Sequence, residues 1–86
     1  MEDIAVLREK VDAVDDQILR DLFQRVKICR AIGDLKKQQS KPVHDIHRET
    51  EVIKRVRERA EMLKLDPEKI ERIYREIVNM CSSVQQ

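Results

Sequence analysis

The chain is 86 residues long, enough for one domain spanning 1–86 and too short for two. One Gly, two Pro, one Phe, one Tyr and no Trp accompany a 41% share of charged residues, which fits an all-α protein and argues against a sandwich or barrel. Lys and Arg number 18 against 17 Asp and Glu, a formal charge of +1 with the signs interleaved, so no global field recruits nucleic acid or an anionic membrane.

Three helices are predicted. From about Glu2 to Gln39 the apolar residues Ile4, Leu7, Val11, Val14, Ile18, Leu22, Val26, Cys29, Ile32 and Leu35 recur at spacings of three or four, without a proline. Gly33 is tolerated inside this helix at a cost of about 1 kcal/mol, and Ser40, Lys41 and Pro42 end it. A second helix runs from about Ile46 to Lys64 with Asp45 as its cap, on a stripe of Val52, Ile53, Val56, Ala60 and Leu63. Asp66 caps a third, from Pro67 to about Val84, with Leu65 and Ile70 at the spacing of a hydrophobic staple. At 1.5 Å per residue the first helix is about 55 Å long and the others about 27 Å each. The shorter two cannot cover it, and the simplest resolution is a dimer in which two long helices pack together.

Cys29 and Cys81 fall on apolar faces and read as free thiols of a reducing compartment. With no charged-then-apolar leader and no apolar run near the length of about 18 residues that a span needs, the expected location is cytoplasmic.

Polar residues interrupt the stripes. Glu49 stands three before Val52, where an apolar side chain is expected, and a carboxylate there needs a donor. Gln85 stands four after Cys81 on the stripe of Tyr74 and Ile77, where a neutral amide can donate without a charge to desolvate. Arg25 and Lys36 lie eleven apart on one helix face, about 16 Å along the axis, with Cys29 and Ile32 between them. Such a set suggests a pocket for a small anion. From geometry alone the cations can equally snorkel to water and Glu49 can sit in a structural salt bridge. Arg48 has a surface default, and Asp45 can use its side chain as a cap. His44 and His47 lack further ligands, so no metal site is expected.

The ordered set Leu7-Arg8-Glu9-Lys10, Val14-Asp15, Arg25, Lys36, Pro42-Val43, Asp45-Ile46-His47-Arg48-Glu49, Leu65-Asp66 and Gln85 resembles the all-helical chorismate mutases over nearly the whole chain. The resemblance implies an intertwined homodimer and a cofactor-free rearrangement of chorismate to prephenate, a step toward phenylalanine and tyrosine. It also implies roles: Arg25 and Arg48 on substrate carboxylate, Arg8 reaching in from the other protomer, Lys36 and Gln85 on the ether oxygen, and Glu49 with the backbone near Asp45 on the ring hydroxyl. Ile32 and Cys81 would line the pocket. Cys81 departs from the Ser frequent in similar enzymes, which puts a hydroxyl contact there in doubt. Geometry agrees on one point, since Arg8 and Arg25 are about 25 Å apart along one helix, too far to clasp one small molecule. Two alternatives are an isochorismate-pyruvate lyase of the same fold and a non-catalytic helical dimerisation module. The Asp45-x-x-Arg48-Glu49 arrangement favours the mutase.

Overall fold

The computed structural model describes residues 3–86, which form α1 (Ile4–Gln38), α2 (Ile46–Met62) and α3 (Pro67–Gln85). The predicted start of the first helix at Glu2 lies outside the described residues. Asp3 caps α1 by accepting from the Val6 amide at 2.9 Å, Asp45 caps α2 through the Arg48 amide at 3.0 Å, and Asp66 caps α3 through the Glu68 amide at 3.0 Å. Leu63 is a correction. It is the C-cap of α2 and 70% exposed, because the helix stops before its stripe reaches that position.

Both α1 and α2 end in a Schellman turn without glycine. Ser40 (φ 55°) donates to the Lys37 carbonyl at 3.2 Å and Lys41 to Lys36 at 2.8 Å. Lys64 (φ 59°) donates to Glu61 at 3.1 Å and Leu65 to Ala60 at 2.8 Å. A side chain in this left-handed region costs about 1–2 kcal/mol, and glycine removes most of that cost. Lys64→Gly is therefore expected to stabilise the chain by about 1 kcal/mol, read as a Tm about 4–8 °C higher. An unchanged or lower Tm would contradict this.

Among the described residues, α3 packs against both α1 and α2, whereas α1 and α2 do not pack on each other. The buried residues follow that arrangement: Cys29 and Gly33 on α1, Val52, Ile53, Val56 and Ala60 on α2, Cys81 and Gln85 on α3. Gly33 is more than tolerated. A Cβ placed on it would stand 2.8 Å from the Gln85 Cα, so the missing side chain is what lets α3 come this close.

On the outer face Glu71 of α3 pairs with Arg57 of α2 and Arg75 of α3, each at 2.8 Å. Hydrogen bonds from Arg75 and then Arg57 hold the Glu71 carboxyl below its usual 4.5. A pKa lowered on folding contributes stability that is full above about 4.5 and is lost as pH falls through the lower folded value. The stability gap between the native chain and Glu71→Gln should therefore narrow on acidification below that point. Acid unfolding curves that stay parallel would contradict it.

The amino half of α1 has little cover. Ile4, Leu7, Val11, Val14 and Ile18 are each 45–65% exposed along one stripe, in a molecule of 58 × 24 × 15 Å.

Candidate active site

Because α1 and α2 meet through α3 and not directly among the described residues, a cavity of about 360 Å³ opens between them, within the size range of small-molecule sites. Lys36, in the last turn of α1, ties its walls together. Its Nζ donates to the Val43 carbonyl in the α1–α2 connection at 2.8 Å and to Gln85 Oε1 on α3 at 2.9 Å. An ammonium has three hydrogens, so one is left for a guest. Gln85 remains helical and only 8% exposed.

Arg25 reaches across from α1, with Nη1 2.6 Å from the Cys81 sulfur and 3.8 Å from the Cys29 sulfur. Burial pushes the Cys29 thiol up to about 11, helped by the hydrogen bond and charge of Cys81, while Arg25 and Gln85 pull the other way. Cys29 thus stays protonated at neutral pH and serves as a small packing group. Along the wall, Arg25 joins the two sulfurs and Lys36 joins Gln85 to the Val43 carbonyl.

Opposite stands Glu49, one turn into α2. The donor its carboxylate needs is Ser82 of α3, whose hydroxyl donates to Oε1 at 3.3 Å, with the His44 ring 3.9 Å from the same oxygen. Asp45 uses its side chain as the helix cap, while Arg48 is exposed at the rim. Ile32 and Cys81 line the cavity. Arg8 is exposed and does not line the cavity of its own chain.

Of the predicted residues, Arg25, Lys36, Asp45, Arg48, Glu49 and Gln85 are brought to this one cavity. Ser82 and Arg55 also line it and were not expected. Arg55 lies three after the buried Val52, at the stripe edge, and that spacing was the available signal. Ser82 had none, being 33 positions from the carboxylate it serves. The lining cations Arg25, Lys36, Arg48 and Arg55 outnumber the carboxylates Asp45 and Glu49 by two, which suits a doubly negative guest.

Residues 7–86 match the family described as chorismate mutase type II. A bifunctional chorismate mutase/prephenate dehydratase of Aquifex aeolicus is 34% identical over 99% of this chain, and the chain spans 24% of that protein's length. A chorismate mutase of Methanocaldococcus jannaschii is 30% identical over 66% of this chain and 58% of its own. Among solved structures, a conserved hypothetical protein from Pyrococcus furiosus superposes with a TM-score of 0.77 at 31% identity, covering 96% of this chain and 95% of that one. A match that runs through all three helices, and so through every residue of the cavity, makes this chain a member of the chorismate mutase type II family.

Proposed function

We propose that the chain is a cytoplasmic chorismate mutase that converts chorismate to prephenate for phenylalanine and tyrosine synthesis. The observation that carries this reading is the convergence of Arg25, Lys36, Arg48, Glu49 and Gln85 on one cavity with an excess of two positive charges. The reaction is a unimolecular rearrangement in which one C–O bond breaks as one C–C bond forms, so it needs no nucleophile, metal or redox cofactor. What it needs is a compact conformer and donors at the oxygen where negative charge grows.

The residues divide that work. Arg25 and Arg48 take substrate carboxylate, and the remaining hydrogen of Lys36 and an amide hydrogen of Gln85 meet the ether oxygen. Glu49 accepts from the ring hydroxyl, beside the backbone near Asp45, and Ser82 on one carboxylate oxygen leaves the other for that contact. The site is completed by Arg8 from a second protomer, in a homodimer whose formation would cover the open stripe of α1.

Incubating purified chain with chorismate tests the reading, with loss of chorismate absorbance and prephenate as product expected. Release of pyruvate would assign the lyase reaction instead, and no consumption would leave a helical interaction module. Ser82→Ala removes one neutral donor from Glu49, worth about 0.5–1.5 kcal/mol, so kcat/KM should fall by about tenfold or less. Unchanged kcat/KM would remove Ser82 from the positioning of Glu49.

A further inference from the structure

Two free thiols in the cavity wall have no part in the rearrangement. Cys29 on α1 and Cys81 on α3 are 8% and 4% exposed, and both line the cavity. One guanidinium nitrogen lies within hydrogen-bonding reach of both sulfurs, which keeps them close together. The backbone explains why. Gly33 meets Gln85 one turn further along each helix, so α1 and α3 run side by side in the same direction, and the glycine sets a short separation that extends back to the cysteine turns. A disulfide needs Cα atoms about 4.4–6.8 Å apart, which helices separated by a missing side chain can reach.

We infer that Cys29 and Cys81 are an oxidation-sensitive pair, a modification site at which hydrogen peroxide closes a disulfide between α1 and α3. The cavity gives a small peroxide its way in. Cys81, the sulfur that Arg25 donates to at 2.6 Å, attacks one peroxide oxygen. The O–O bond breaks, water leaves with the thiol proton, and Cys81 becomes a sulfenic acid. The Cys29 sulfur then attacks the Cys81 sulfur, the S–O bond breaks and a second water departs with the Cys29 proton. Two electrons pass from the two thiols to one peroxide. Because burial keeps the resolving Cys29 thiol protonated at neutral pH, closure is slow.

Closure alters the donors on the same wall. Arg25 donates to both of these sulfurs, and a disulfide turns the sulfurs toward each other. On the functional reading proposed above, on which this consequence alone rests, oxidation slows turnover.

The test treats the full reduced chain with hydrogen peroxide, with glutathione in the same tube as a reporter, then alkylates with N-ethylmaleimide under denaturing conditions. Expected are an intact mass lower by two hydrogens without alkylation, a Cys29–Cys81 cross-linked peptide, reversal by dithiothreitol, and no such product from Cys29→Ser. Two alkylated thiols once glutathione is fully oxidised would overturn the proposal, as would separate sulfinic acids or a disulfide between two chains. Turnover of chorismate should fall at least tenfold on closure and return on reduction. Unchanged turnover in the closed chain would overturn the link to Arg25. The mass readout does not depend on activity, so a chain that closes the disulfide but never consumes chorismate counts against the function and not against the thiol pair.

Discussion

Lys36→Ala is expected to lower kcat for chorismate by about 10²–10³-fold, a loss of about 2.7–4 kcal/mol of transition-state stabilisation. The size follows from what the ammonium does in the wall. It is held by the Val43 carbonyl and Gln85 Oε1 before any guest arrives, so in the proposed role little reorganisation would remain as charge develops on the ether oxygen. Truncation also leaves the Gln85 oxygen without its donor in a buried place, a stability cost of about 1–3 kcal/mol. The two effects separate cleanly. The stability loss appears in thermal unfolding, whereas the catalytic loss appears in kcat of the fraction that remains folded. Lys36→Arg is a useful companion, because a planar fork keeps the charge but cannot reproduce the two-acceptor geometry of a compact ammonium. It should recover stability before it recovers rate. Near-normal kcat in the folded Lys36→Ala chain would remove Lys36 from the reaction.

The three helices were legible because periodicity and capping residues agree with each other. Asp45 and Asp66-Pro67 start α2 and α3 where the apolar stripes begin. The ends were harder. Ser40 and Lys64 close α1 and α2 in the left-handed region, and neither residue type advertises that conformation as glycine would. Gly33 was visible, but its purpose was not. Only the position of Gln85, 52 residues later, shows that the absent side chain makes room for another helix. The site follows the same division. Glu49 and Gln85 stood out because each breaks a stripe on its own helix, a local signal. Ser82 carries no such signal, since its significance comes from a carboxylate on a different helix. Lys36 could be placed on the right face from sequence, but its bonds to Val43 and Gln85 depend on how the chain turns after Ser40.

Arg8 tests whether two chains build one site. Within its own chain it is exposed and away from the cavity, so its loss should leave the protomer's fold unchanged. If it reaches the carboxylate of a substrate held by a second protomer, Arg8→Ala should lower kcat/KM by about 10²-fold, since a hydrogen bond to a charged group is worth about 1.5–3 kcal/mol. That result alone cannot tell a bond across the interface from a weakened dimer. Mixing resolves it. Arg8→Ala and Lys36→Ala chains, each nearly inactive, are unfolded together in equal amounts and refolded, so that about half of the dimers pair one of each by random assortment. Every mixed dimer then holds one site with both defects and one with neither, which restores about a quarter of the native activity. If both groups came from a single chain, every site would carry one defect and mixing would restore nothing. Recovery that scales with the mixed-dimer fraction, measured after separating the species by a charge tag, would therefore establish the shared site. Its absence in a verified mixed dimer would confine the chemistry to one protomer.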